Sequence, residues 1–412
     1  MVTALFSGCN SQPRAAGDHT HKIESAIIVI PGYYGTRLVS ETNGNLIFIS
    51  LTQALFGDQA LTLPLPDLGL KGTINLKPHG ILDEVQVIPP FYSIDVYGSL
   101  LDKLHLSNKE NQEVIPFTYD WRGDLLEAVQ SLDILIRRLQ TEGKKDISIV
   151  AHSMGGLIVS YYLRYGTQDI DSAIETWEGA ESLKNVVLAG VPFLGVMHSF
   201  RNMNFGVTVG LNSSLLSAEA YSSFPASYYT LPIADSDELL SPQLKPVKGM
   251  IRNSKLWQQS GWGLLNTKHL FSNEIIEQRA AYTSFWLERS QRFLELLRTP
   301  QSTTSPKQPR LLYLYAKGTP TLSKGVLAGT PAKGPDSLRF KDLNSTSSDS
   351  VMTSTSIYAD GDGTVTVTSA HLPPAYHQTL PITVREYEVG HTELVKHSAI
   401  QDDIIIFLKN HK

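Results

Sequence analysis

An α/β fold with a mostly parallel central sheet is what this sequence predicts, on three observations. Short continuous apolar runs alternate with amphipathic helical stretches, the pattern of strands buried on both faces and joined by crossover helices. One run leads into Ala151-His152-Ser153-Met154-Gly155-Gly156. That is small-x-Ser-x-small between strand and helix, where a serine sits on a turn too tight for large neighbours. Far downstream come an aspartate and then a histidine, each after a strand-like run.

The elements follow in order. Ala26-Ile27-Ile28-Val29-Ile30 is the first apolar run, and it breaks at Pro31-Gly32-Tyr33-Tyr34-Gly35-Thr36-Arg37-Leu38. A glycine-bearing loop after an early strand can offer one main-chain amide to a developing oxyanion, and the residue after the serine offers the other. On that logic the backbone N–H groups of Tyr33 and Met154 are assigned to an oxyanion hole. A plain strand-to-loop turn would also accommodate Pro-Gly. Residues 41–90, punctuated by Pro64, Pro66, Pro78, Pro89 and Pro90, read as an irregular insertion ahead of the main sheet. Ile94 to Leu106 reads as an amphipathic helix and Val114 to Phe117 as a strand, leading into Tyr119-Asp120-Trp121-Arg122. Leu125, Val129, Leu132, Leu135, Ile136 and Leu139 then recur at helical spacing. Ile147, Ile149 and Val150 make the strand before the serine, and Leu157, Ile158, Tyr161 and Tyr162 the helix after it.

Val186 to Gly190 is the next strand, ending in Val191-Pro192-Phe193-Leu194-Gly195. The strand pattern then lapses over residues 197–300, which hold Trp257, Trp262 and Trp286 and read as a largely helical cap, with Glu274 to Leu297 its most regular helix. Thr299 to Pro309 is linker-like, and Leu311 to Tyr315 returns to the sheet. Ser345 to Ser356, dense in Ser and Thr, reads as a mobile loop; Thr383 to Val389 is the last strand. The expected organisation is therefore a tether at residues 1–22, a core split between 23–196 and 310–412, and a cap with linker at 197–309.

Composition excludes some functions. The 412 residues are 42% hydrophobic and 18% charged, with a net charge of -5, a mild acidity that gives no reason to expect nucleic acid, which calls for a basic surface. No uninterrupted apolar run approaches the roughly 20 residues that span a bilayer. The single cysteine, Cys9, cannot form an intramolecular disulfide. The apolar stretch ending Phe6-Ser7-Gly8-Cys9 resembles the end of a bacterial lipoprotein signal peptide, in which the cysteine becomes the lipidated first residue. It lacks a charged start, and its apolar region is shorter than a signal peptide requires. The expectation is a lipid-anchored or periplasmic protein of the bacterial cell envelope, working at a membrane surface; the alternative is a free thiol in a disordered tail.

The chain order Ser, Asp, His is that of an α/β-hydrolase. In such a triad the histidine takes the serine proton and returns it to the leaving group, and the aspartate fixes the imidazole tautomer. Asp362 is preferred to Asp360 within Asp360-Gly361-Asp362-Gly363-Thr364-Val365. A metal-binding loop there would need more oxygen ligands than the sequence offers, and no cofactor is called for. His391, immediately past a strand, is the candidate base; His397 reads as a surface residue of the final helix, and His152 as a neighbour packed or hydrogen-bonded beside the serine.

Taken together, Pro31-Gly32-x-x-Gly35-Thr36-Arg37-Leu38, Tyr119-Asp120-Trp121-Arg122, the serine motif, Val191-Pro192-Phe193-x-Gly195, Asp360 to Val365 and Gly390-His391 resemble the lecithin:cholesterol acyltransferase family, which includes lysosomal phospholipase A2 and phospholipid:diacylglycerol acyltransferase. The motifs run in order from Ile27 to about Leu408. The resemblance implies Ser153 as nucleophile, Asp362 as acid, His391 as base and Tyr33 as oxyanion donor. It implies an acyl-lipid ester as substrate, water or an alcohol as acceptor, and acyl-chain binding by the cap. The family's disulfide-closed lid cannot exist here in that form. Tyr119-Asp120-Trp121-Arg122 is expected to be structural, a buried Asp–Arg pair with an aromatic anchor. Rival readings are a catalytically idle, membrane-tethered lipid-binding protein, and a thioesterase or peptidase on the same scaffold.

Overall fold

A computed structural model of the protein describes residues 24–50, 54, 60–70, 75–88, 92–107, 112–233, 239–266, 271–299, 309–328, 331–340 and 357–410. Six strands form the main sheet: β1 (Ser25–Ile30), β2 (Gln112–Pro116), β3 (Asp146–His152), β4 (Asn185–Ala189), β5 (Arg310–Ala316) and β6 (Ile382–Tyr387). Their order is β2-β1-β3-β4-β5-β6, and every neighbouring pair is parallel. This is the parallel α/β sheet expected from the alternating apolar runs. From β1 the chain moves outward to the edge strand β2, then returns to place β3 on the other side of β1. The crevice beyond the carboxyl ends of β1 and β3 is therefore a topological switch point, where open α/β sheets place their ligands.

The flanking helices show why the sequence chose them. Leu125–Thr141 is capped by Asp124, whose side chain accepts from Leu126 N, and it buries Leu125, Val129, Leu132, Ile136 and Leu139 along one face. The helix after the serine, Met154–Tyr165, is buried on all sides. Its outer face is covered by the C-terminal turns of the long helix Asn273–Arg298. Tyr161 stacks on Phe293 with ring centroids 4.9 Å apart, and Tyr165 Oη donates to Leu296 O at 2.8 Å. Arg164, fully buried, pairs with Glu175 at 2.6 Å and donates to the carbonyls of Leu297 and Thr299. The end of that helix thus packs into the main core, while its earlier part contributes to the cap.

The cap holds the helices Met197–Phe205, Ala218–Ser223, Pro225–Tyr229 and Ser254–Ser260 and a short hairpin, Val207–Val209 with Asn212–Leu216. It has a core of its own around Phe200, Tyr228, Trp257, Trp262 and Leu287. Among the described residues no helix is long and apolar enough to cross a membrane.

Residues 41–90 correct the sequence reading. Among the described residues of this stretch, Leu46–Phe48 and Leu76–Ile81 join Thr36–Ser40 in a three-stranded antiparallel sheet, and Glu84–Ile88 pairs with Tyr92–Asp95. Pro78 lies on an edge strand of that sheet, a position where a missing N–H costs the ladder little. The next helix begins at Gly98, four residues later than expected. Asp95 explains the shift, because its carboxylate accepts from Ser99 N at 3.0 Å and Ser99 Oγ at 2.6 Å and so caps the helix start. The strand before Asp362, Tyr358–Gly361, pairs antiparallel with Thr319–Leu322 and lies outside the main sheet. Cys9 with its tether, most of the linker and the 345–356 loop lie outside the described residues.

Candidate active site

Ser153 sits at the switch point, between the end of β3 and its helix. Its backbone has φ 54° and ψ -126°, a conformation that strains any residue with a side chain and persists only where the surroundings enforce it. They do so closely. A Cβ on Gly155 would lie 2.5 Å from the carbonyl oxygen of Pro31, and one on Gly156 would lie 2.2 Å from Val191 Cγ2. Ser153 N donates to Ala189 O at 2.8 Å, fixing the turn to β4.

The loops after β6 and after the ribbon strand Tyr358–Gly361 bring the other two candidates to this serine. His391 Nε2 lies 2.9 Å from Ser153 Oγ, and His391 Nδ1 lies 2.7 Å from Asp362 Oδ2. His391 N donates to Asp362 O at 2.9 Å, so main chain as well as side chain registers the pair. Asp362 Oδ1 accepts from Thr364 N at 2.9 Å and Val365 N at 2.7 Å. Burial alone would raise the Asp362 pKa, but His391 and the two backbone donors outweigh it and hold the carboxyl below its usual value. Gly190 leaves room for the ring: its φ is +62°, and a Cβ there would come within 3.1 Å of His391 Cε1. Asp360 instead accepts from Gly318 N at 2.6 Å on an exposed edge, and His397 is an exposed residue at the start of the last helix.

The loop after β1 closes the other side of the serine. Gly32 packs so tightly that a Cβ on it would lie 2.7 Å from Ser153 Cβ. Tyr33 and Met154, whose amides are assigned to the oxyanion hole, line the same cavity as Ser153, and no described group accepts a hydrogen bond from either amide. Met154 N is at the first turn of a helix, where amides lack an intrahelical partner. The Tyr119–Arg122 motif does more than pair its charges. Arg122 grips Asp120 at 2.7 Å and Leu61 O at 3.0 Å, while Tyr119 Oη donates to Pro31 O and Trp121 Nε1 to Thr36 O, both at 2.9 Å. Both ends of the Pro31–Thr36 loop are thereby fixed by one motif.

His152 lies beside the serine as the sequence suggested, with its ring centroid 4.7 Å from that of His391. Burial, reinforced by His391, pushes its pKa down to about 3. Tyr97 is a residue the sequence did not single out: its hydroxyl meets both Gly32 N and His152 Nδ1 at 2.8 Å. An aromatic residue just before a helix start was the only available signal, and many core tyrosines share it. The cavity over Ser153 has a volume of about 390 Å³ and is walled by Tyr33, Tyr34, Leu82, Val96, Val196 and Tyr221 among others. Its walls are mainly apolar, with polar side chains both from the core, Ser153 and His391, and from the cap, Ser199 and Asn202, as in sites that bind an apolar body and orient it with a few polar groups. No group of three or more metal-ligating side chains occurs among the described residues.

Sheet order and elbow geometry make this an α/β-hydrolase fold. Residues 92–283 match the model of the lecithin:cholesterol acyltransferase family; the matched stretch contains Tyr119–Arg122, Ser153 and Val191–Gly195. The chain is 27% identical over 217 residues to the uncharacterized protein YJR098C of Saccharomyces cerevisiae, with 52% of this chain and 30% of that protein covered. It therefore spans about a third of the length of the curated relative it matches. Among solved structures, a chain of the Tle4–Tli4 complex is similar in fold, with TM-score 0.50 and 14% identity over 94% of this chain and 99% of the other. The mature form of Bacillus licheniformis lipase BlEst2 aligns over 95% of this chain and 94% of its own at TM-score 0.37 and 9% identity.

Proposed function

We propose that the protein is a serine-dependent lipid ester hydrolase or O-acyltransferase. The observation that carries this is the unbroken hydrogen-bonded line from Ser153 Oγ through His391 to Asp362. In the resting state His391 donates Nδ1–H to Asp362, which leaves Nε2 bare to accept from the serine hydroxyl. As Oγ attacks the ester carbonyl carbon, its proton passes to Nε2, and the carbonyl oxygen becomes an oxyanion held by the Tyr33 and Met154 amides. Collapse of the tetrahedral intermediate breaks the C–O bond to the leaving alcohol, which takes the proton back from His391. The acyl group stays on Ser153 until water or an acceptor alcohol, deprotonated by the same imidazole, releases it.

The family segment and the apolar cavity support acyl-lipid esters as the substrate class. A lipid anchor at Cys9, holding the enzyme at a membrane of the bacterial cell envelope, would bring it to such substrates. Intact-mass analysis of native protein tests the anchor; an unmodified chain still starting at Met1 removes it. The activity is tested by product analysis with phospholipid, given with and without a long-chain alcohol. Free fatty acid alone indicates hydrolysis, and a new ester indicates transfer. Equal traces from the protein and Ser153→Ala, with p-nitrophenyl esters of every chain length also untouched, would leave only a lipid-binding role. Thioester and peptide substrates run in parallel separate the remaining chemistries.

A further inference from the structure

We infer that Tyr97 and His152 are positioning residues, a hydrogen-bonded strap that fixes the oxyanion loop and the base loop relative to Ser153. Gly32 N donates to Tyr97 Oη at 2.8 Å, Tyr97 Oη meets His152 Nδ1 at 2.8 Å, and His152 Nε2 meets the carbonyl oxygen of His391 at 3.1 Å. A carbonyl can only accept, so His152 must carry its hydrogen on Nε2. Its Nδ1 is then a bare acceptor, and Tyr97 must donate to it. The direction is consistent throughout, from Gly32 to Tyr97 to His152 to His391.

The strap has a fixed footing. The carbonyl of Asp83 accepts from Val96, Tyr97 and Gly98 amides at 2.7, 3.1 and 3.1 Å. Asp83 is in turn paired with Arg37, which also donates to Ile81 O at 2.9 Å. The inserted hairpin thus delivers Tyr97 from an anchor on the oxyanion loop's own downstream strand. His152 immediately precedes Ser153 in sequence, so one short path ties the Pro31–Gly32 peptide, the nucleophile's strand and the backbone of the base. A proton on Nδ1 would leave the Tyr97 hydroxyl hydrogen without its acceptor and set a second cation beside His391. Burial keeps His152 neutral, so the strap survives the moment at which His391 becomes positive.

This inference rests on the acyl-enzyme reading, and its test separates the two. The full chain and Ser153→Ala, Tyr97→Phe, His152→Gln and His152→Ala variants are compared for p-nitrophenyl ester kinetics, melting temperature and affinity for an arylboronic acid, which forms a tetrahedral serine adduct. Tyr97→Phe keeps the ring and removes only the hydroxyl. It should lower kcat by roughly 10- to 100-fold, somewhat less than loss of an oxyanion donor outright, with KM within about threefold and boronate affinity reduced by a similar factor to kcat. His152→Gln, which keeps an N–H for the His391 carbonyl, should retain more kcat than His152→Ala. If Tyr97→Phe lowers only the melting temperature, leaving kcat and boronate affinity at wild-type values while Ser153→Ala is inert, the strap is merely structural and the inference is overturned. If the wild-type chain neither turns over esters nor binds the boronate, both readings fall.

Discussion

His152 makes stability depend on pH in a way that can be calculated. Its folded-state pKa is about 3 against an ordinary 6.5, so between those values the unfolded chain binds the proton and the folded chain does not. Stability is therefore full above about pH 6.5 and is lost as pH falls towards 3, at about 1.4 kcal/mol per pH unit from this one residue. At about pH 4.5 that amounts to roughly 2–3 kcal/mol, a large fraction of a typical folding free energy. Urea denaturation of wild type and His152→Gln at about pH 7.5, 6.5, 5.5 and 4.5 measures it, because contributions from groups that do not interact with His152 cancel in the difference. The variant is expected to be the less stable protein at neutral pH, and the gap should narrow steadily below pH 6.5. Parallel stability curves would refute the reasoning. So would an imidazole NMR signal from His152 that titrates near 6.5 in the folded protein.

Three further outcomes follow from the packing and the site. Asp362→Asn should lower kcat by about 10⁴-fold with little change in KM, since it removes the carboxylate that sets the His391 tautomer; steady-state kinetics check this. Gly155→Ala puts a methyl group 2.5 Å from the Pro31 carbonyl oxygen. The overpacking should cost about 1–3 kcal/mol in chemical denaturation and displace the Pro31–Thr36 loop against Ser153, so activity should fall as well. Arg164→Met strands Glu175, which is 1% exposed, and loss of one member of a buried pair costs about 3–5 kcal/mol; the Tm should drop sharply, with kcat per folded molecule unchanged.

How much was legible in the sequence depended on the kind of signal. Strands such as Ala26–Ile30 and Val186–Ala189 announce themselves because burial on both faces leaves no polar position. The serine turn was visible because steric demands at Gly155 and Gly156 are written as missing side chains. The insertion was misread because Pro78 and its neighbours look like breakers, yet an edge strand tolerates them. The Gly98 helix start was misplaced because Asp95 caps from within a strand, a choice set by pairing with Glu84–Ile88. Tyr97 was invisible for a deeper reason: its partners, Gly32 and His152, lie 65 and 55 residues away, and nothing local distinguishes a tyrosine that bridges loops from one that fills a core. The long helix at 273–298 was found from its periodicity, but its service to two different cores appears only in three dimensions.

The central claim is that Ser153 is the activated nucleophile. Reaction of the full chain with a fluorophosphonate probe, followed by peptide mass spectrometry, tests it most directly. A single adduct on Ser153, absent from Ser153→Ala and formed far more slowly by His391→Ala, is the predicted result. An adduct that persists in Ser153→Ala, or a wild-type chain left unlabelled, would contradict it.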